Sequence, residues 1–389
     1  MSARVVVVGA GLAAVRFVLS LRRFGFDGPV TVVGDEPELP YDRPPLSKEV
    51  LSGEKTIEDV WLASADDLHE SGITTKLGVR AIGVDRKSKT LMTTDGDVPY
   101  DDLVVASGLR PRHLPMTEGL SKVHVLRSAA DCQRLRGDVQ SARHAVVIGA
   151  GFIGCEIAAT LCGSGLDVDL VEPNALPLEA ALDPWIGARV AQLHSAHGVK
   201  LRLNTLVSDV HTYNGKPRVM LSDGASMDPD VVIVGVGSVP CTDWLEGSGL
   251  DITDGVLCDS QGRTEDPAIW AIGDVARRRS DDGSARRVEH WTSAGEQGTA
   301  LARLFAGKGP SPVPSVDYVW SDQYGVKLQV LGHVRAASDA HVLVDEPERF
   351  LIMYEAAGRL SAAAGLGMAG RVMKLRGAVA SHAPICDVM

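Results

Sequence analysis

One supersecondary unit occurs twice in this chain and restricts its fold more than any other feature. Residues 4–8 (Arg-Val-Val-Val-Val) run into Gly9-Ala-Gly11-Leu-Ala-Ala14, a helix-like stretch reaches Arg22, and an apolar segment at 30–33 ends in Gly34-Asp35-Glu36. Residues 144–148 likewise run into Gly149-Ala-Gly151-Phe-Ile-Gly154, and a helix-like stretch leads to the segment Val168-Asp-Leu-Val171 and Glu172. Gly149 lies 140 residues after Gly9, and Glu172 lies 137 after Asp35, so strand, turn, helix and acid recur together. A short, wholly apolar run predicts a strand buried on both faces, as in a parallel sheet. The glycines permit a tight turn and close approach of a pyrophosphate, and the helix N-terminus supplies free N–H groups and a positive dipole. An acid ending the second strand can accept hydrogen bonds from a ribose.

One such motif is weak evidence. Two, each in full context, predict two dinucleotide sites; the alternative is two glycine-rich turns that bind nothing. The first site is assigned Gly9, Gly11, Ala14 and Asp35, with Glu36 as the competing acid. The second is assigned Gly149, Gly151, Gly154 and Glu172. A carboxylate at Glu172 repels a 2′-phosphate, and Pro173-Asn174 bring no arginine to receive one, which predicts NADH over NADPH.

Two further apolar runs end in related turns, 102–106 before Ser107-Gly108 and 231–234 before Gly235-Val-Gly237. Both fall at expected crossings between domains. A run at 269–275 delivers Asp274 to a strand's carboxyl end, where open α/β sheets bind ligands. The 389 residues predict two or three domains at about 150 residues each. Residues 307–314 (GKGPSPVP) read as a linker. Short strands at 316–320, 326–331, 341–344 and 350–354 predict a smaller α+β tail.

The net charge of −11 argues against general nucleic-acid binding. No apolar stretch is long enough to span a membrane, and the opening lacks a signal-peptide pattern. Six cysteines form no C-x-x-C pair, which argues against a disulfide framework, a structural zinc site and a protein-borne iron–sulfur cluster. A reducing cytoplasm is the expected compartment.

Four further stretches carry a family resemblance: 40–48 (PYDRPPLSK), 270–276 (WAIGDVA), 289–291 (EHW) and 319–327 (VWSDQYGVK). With the two glycine units, they make nearly the whole chain resemble the FAD-containing, NADH-dependent ferredoxin reductases of Rieske oxygenase and bacterial cytochrome P450 chains. That family has the glutathione-reductase-type fold. The resemblance implies an α/β protein with two Rossmann-like domains and a C-terminal α+β domain. It places FAD at residues 1–110 and 241–311, NADH at 111–240, and the tail at 312–389.

The resemblance also implies roles. Gly9, Gly11 and Ala14 hold the FAD pyrophosphate, Asp35 its ribose, and Arg43 lies along its adenine side. Lys48 stands beside the flavin ring, paired with Glu156; a fixed cation there favours the anionic reduced ring. Asp274 accepts from the ribityl chain or approaches the phosphates, the peptide at Trp291 meets the pyrimidine edge, and Trp320 covers the ring or its edge from the tail. Gly149, Gly151, Gly154, Glu172 and Gly237 serve NADH. With no dithiol, electrons leave the flavin directly for a [2Fe-2S] ferredoxin.

Residues 277–287 hold five arginines and two aspartates, a net +3. Arg277, Arg278, Arg279, Arg286 and Arg287, joined by Lys327, are expected to dock an acidic ferredoxin. Cys155, inside the second glycine turn, is the cysteine of interest. Residues 367–371 and 378–389 depart from the family's usual ending. A rubredoxin reductase, or an NADH-sensing flavoprotein resembling apoptosis-inducing factor, remains an alternative.

Overall fold

The computed structural model describes residues 3–280, 282–310, 316–334 and 339–388. Residues 311–314 of the expected linker, and Asp281 of the basic segment, lie outside the described residues. The chain forms two compact units. One comprises Met1–Asp42, Ile57–Arg110 and Val239–Asp317; the other comprises Arg43–Thr56, Pro111–Ser238 and Tyr318–Met389.

The first unit is built on a five-stranded parallel sheet in the order Ile269–Ala271, Asp102–Val105, Val5–Val8, Val30–Gly34, Ile73–Leu77. Val5–Val8 is central and at most 5% exposed, because both faces of the sheet are covered. One cover is the pair of helices Leu12–Arg23 and Trp291–Phe305. They cross closely: a Cβ at Gly298 would lie 2.4 Å from the Ala13 carbonyl oxygen. Phe17 packs edge-on against Phe305, with ring centroids 5.4 Å apart.

The second unit repeats the pattern. Its parallel sheet runs Lys200–Arg202, Asp167–Val171, His144–Ile148, Val231–Val234, Val123–His124. The same unit carries an antiparallel sheet ordered Tyr318–Gln323, Val326–Gly332, Arg359–Leu366, Arg349–Ala356, Asp339–Glu346. Short helices at Ala369–Lys374 and Arg376–Ala380 follow it. The α/β class with a C-terminal α+β portion expected from the sequence is the class observed. Arg359–Leu366 is a strand the sequence reading did not anticipate.

Candidate active site

Each glycine motif links a central strand to a helix. Gly9 and Gly149 have φ of +110° and +99°, in the left-handed region that favours glycine. Each also lies against the neighbouring strand's exit. A Cβ on Gly9 would meet the Ala106 carbonyl oxygen at 2.2 Å, and one on Gly149 would meet that of Gly235 at 2.4 Å.

Gly11 and Gly151 are the N-caps of the helices Leu12–Arg23 and Phe152–Gly163. Neither helix has a side-chain cap or an acid in its first turn. A Cβ at Gly11 or Gly151 would meet nothing within 4 Å, so the space beside each helix N-terminus is open. Such a terminus, with its N–H groups facing open space, suits a pyrophosphate. The third position packs helix onto strand. Ala14 is fully buried, while a Cβ at Gly154 would lie 1.9 Å from the Gly149 carbonyl oxygen.

The acids differ in their surroundings. Asp35 is exposed, and Glu36 accepts a hydrogen bond from the Tyr41 hydroxyl. Glu172 is 7% exposed and is already engaged by its own loop. Its Oε2 accepts from Ala150 N–H at 2.7 Å; its Oε1 accepts from Asn174 N–H at 3.1 Å and from Asn174 Nδ2 at 2.6 Å. The acid therefore ties the glycine turn to the strand end. Gly237 has φ +99°, and its carbonyl accepts from Arg112 N–H.

Lys48 and Glu156 meet in the second unit. Lys48 Nζ lies 2.6 Å from Glu156 Oε2 and also donates to the Pro44 carbonyl at 3.0 Å. Glu156 is 3% exposed, so its charge needs several donors. Ser47 Oγ donates to Oε2 at 2.5 Å, and Ser321 Oγ donates to Oε1 at 2.9 Å. The sequence reading missed both serines. Strand alternation was the available signal, because it sets Ser321 on the face opposite Trp320.

Trp320 lies on the same strand as Ser321. Its ring stacks on Tyr318 with centroids 5.8 Å apart, and Lys327 Nζ lies 5.6 Å over it. Arg43 Nη1 donates to the Arg127 carbonyl at 2.6 Å. In the first unit, Asp274 sits in the turn Gly273–Val275 after the Ile269–Ala271 strand. Trp291 begins its helix and donates from Nε1 to Asp42 Oδ1 at 2.6 Å.

The basic segment is compensated within its own unit. Arg277 pairs with Asp251 at 2.7 Å, Arg286 with Asp317 at 2.8 Å, and Arg287 with Asp254 and Glu289 at 3.0 and 2.6 Å. Arg278 donates to the Ser260 carbonyl, and desolvation disfavours its charge. Arg279 is exposed. Lys327 pairs with Asp322. The local +3 is thus largely answered by acids outside the segment.

The six cysteines are free thiols. Burial pushes the Cys155 thiol far up, and Cys132 and Cys258 each to about 11. Cys155 is therefore a protonated core group, lacking the thiolate character of a nucleophile. Among the described residues no helix is long and apolar enough to cross a membrane, and no cluster of potential metal ligands occurs.

Two glycine-opened cradles, each on its own parallel sheet, define an oxidoreductase of the two-dinucleotide class. Residues 3–298 match the family described as pyridine nucleotide-disulphide oxidoreductase, and residues 318–388 match the family described as reductase C-terminal. The chain belongs to the pyridine nucleotide-disulphide oxidoreductase family and carries that C-terminal domain.

Among its relatives, rhodocoxin reductase of Rhodococcus erythropolis is 36% identical, over 87% of this chain and 80% of the relative. The ferredoxin–NAD(+) reductase component of the anthranilate 1,2-dioxygenase system of Burkholderia cepacia is 33% identical, over 97% of this chain and 94% of its own. The crystal structure of the covalent putidaredoxin reductase–putidaredoxin complex superposes with a TM-score of 0.94 at 30% identity, covering 98% of this chain and 94% of that one.

Proposed function

We propose that this chain is an NADH-dependent ferredoxin reductase of the cytoplasm, serving a cytochrome P450 or Rieske oxygenase chain. The observation that carries the reading is the pair of uncapped helix N-termini at Gly11 and Gly151, each opening onto free space. Similarity to reductases of rhodocoxin and dioxygenase systems supplies the acceptor class, a small iron–sulfur protein.

FAD occupies residues 1–110 and 241–311, NADH 111–240, and the tail begins near 312. Gly9, Gly11 and the helix after them hold the FAD pyrophosphate, with Ala14 packing that helix and Asp35 or Glu36 taking the ribose. Arg43 lies by the adenine, Asp274 by the ribityl chain, and the peptide of Trp291 by the pyrimidine edge. Gly149, Gly151, Gly154 and Gly237 shape the NADH site, and Glu172 orders its loop and accepts from the ribose. The chemistry a bound flavin supplies is hydride acceptance from a nicotinamide and one-electron release to an iron–sulfur protein.

The protein's own work is position and charge. Lys48 fixes a cation beside the ring, and Glu156 limits and aims it. Trp320 covers the ring from the tail. No dithiol relay intervenes, since the six cysteines form no C-x-x-C pair and the buried thiols of Cys132, Cys155 and Cys258 stay protonated. Arg279 is an exposed cation of the docking segment, joined by Arg278 and by Arg286, Arg277, Arg287 and Lys327, whose charges are paired.

The test is direct. Purified protein should release about one FAD per chain on denaturation, and NADH should bleach the bound flavin far faster than NADPH. Protein without flavin, and unable to be loaded with it, would overturn the reading.

A further inference from the structure

The Lys48–Glu156 pair continues through Ser321 to Gln323. Tyr324 and Gly325 form the two-residue turn between the strands Tyr318–Gln323 and Val326–Gly332, with φ of +52° and +76°. Positive φ at both positions is the hairpin geometry that favours Asn-Gly, and a tyrosine there is costly unless tied down. It is tied. Its hydroxyl lies 2.7 Å from His194 Nδ1, and its ring stacks on His197 with centroids 3.9 Å apart. His194 is fully buried on the helix Pro184–Ala196.

One tautomer of His194 gives every member a consistent donor direction. A tyrosine hydroxyl donating to Nδ1 leaves the imidazole proton on Nε2. Among the described residues, His194 Nε2 and Gln323 Oε1 are both buried without a hydrogen-bond partner. In that tautomer they are a donor and an acceptor, and Gln323 raises the proton affinity of this imidazole against a larger desolvation. The other end of that amide, Nε2, donates to Ser321 Oγ at 3.1 Å. Ser321 Oγ then donates to Glu156 Oε1 at 2.9 Å. Gln323, Ser321 and Glu156 are each at most 3% exposed.

We propose that the buried donor His194 Nε2 and the buried acceptor Gln323 Oε1 pair with each other, which makes His194, Gln323 and Ser321 positioning residues: a one-way hydrogen-bond chain, started by Tyr324 and ending on Glu156, that keeps this carboxylate aimed at Lys48. The inference rests on the reading of Lys48–Glu156 as the pair beside the flavin. The chain gives the tail a task beyond covering the ring. Successive aligned donors polarise one another, so the far members strengthen the bond made by Ser321.

Potentiometric titration of the FAD-loaded protein tests it. Glu156→Gln leaves the Lys48 charge without its counter-charge and should raise the flavin midpoint potential. Ser321→Ala and Gln323→Leu should raise it in the same direction by smaller steps, and Ser321→Thr should restore the wild-type value. Wild-type potentials in Ser321→Ala and Gln323→Leu, alongside a shifted Glu156→Gln, overturn the chain while leaving the pair beside the flavin. An unshifted Glu156→Gln overturns the placement of the pair, and the chain with it. A second readout needs no variant to fold: ¹⁵N NMR of the wild-type protein should find His194 neutral with its proton on Nε2. A proton on Nδ1 reverses the donor order and contradicts the proposal.

Discussion

Glu172→Ala probes the second cradle at its most constrained point. The carboxylate accepts three hydrogen bonds, from Ala150 N–H at 2.7 Å, Asn174 N–H at 3.1 Å and Asn174 Nδ2 at 2.6 Å. Ala150 lies between the two glycines of the turn and is 1% exposed, so water reaches its N–H poorly once the carboxylate is gone. Leaving one buried N–H unpaired costs about 1–3 kcal/mol. If that cost falls on the ordered loop that NADH requires, the Kd rises about 5- to 100-fold, at 1.4 kcal/mol per tenfold. Any ribose bond lost from the acid adds to this. The Gly9 cradle is untouched, so FAD content should stay at the wild-type value. The assay is calorimetric titration of the FAD-loaded variant with NAD(H), with flavin content measured alongside. Unchanged NADH affinity would refute the reasoning, and so would loss of FAD with NADH affinity intact.

Three other perturbations follow from the same geometry. Gly154→Ala puts a Cβ 1.9 Å from the Gly149 carbonyl oxygen, so helix and turn must part at a cost of about 1–3 kcal/mol; a lower Tm with weakened NADH binding is expected, and a wild-type Tm would contradict it. His194 carries a pH dependence: burial depresses its pKa from 6.5 to about 4, so the unfolded chain binds a proton below 6.5 that the folded chain refuses until about 4. Stability should therefore fall as pH drops from 6.5 to 4, by about 3 kcal/mol, and His194→Gln should flatten that slope in denaturant titrations; an equal slope in both proteins would disprove it. Arg279→Glu should raise the ferredoxin KM and weaken its salt dependence more than Arg277→Gln does, because Arg277 is already paired with Asp251; equal effects would count against the exposed arginine.

The parts of the fold carried by local pattern were legible in the sequence. Val5–Val8 and His144–Ile148 read as buried strands because both faces are covered and no polar alternation interrupts them. The glycine turns read as cradles because their spacing reflects backbone approach, which is local. Arg359–Leu366 escaped notice for the opposite reason. Its sequence, RLSAAAGL, is made largely of residues poor in β propensity. It is nevertheless a central strand, where a Cβ at Gly365 would meet Val372 Cγ2 at 2.6 Å. Tight packing by the following helix decides the residue types there, and periodicity does not record it.

The site divides along the same line. Lys48 and Glu156 were singled out through family resemblance, yet Ser321, 165 residues beyond Glu156, was not, because no local spacing encodes that contact. The basic segment was read as +3 because Asp251, Asp254 and Asp317 lie 26 to 33 residues from the arginines they bind. Counting charge within a window misses counter-charges that the fold brings back.

The central claim is that electrons pass from NADH through this chain to a ferredoxin. The most direct measurement is NADH oxidation by the FAD-loaded protein with cytochrome c as the final acceptor, with and without an added [2Fe-2S] ferredoxin. Fast reduction of cytochrome c that depends on the ferredoxin, with little without it, is the predicted result. Slow flavin reduction with a long-lived NAD complex, accelerated by no ferredoxin, would contradict it.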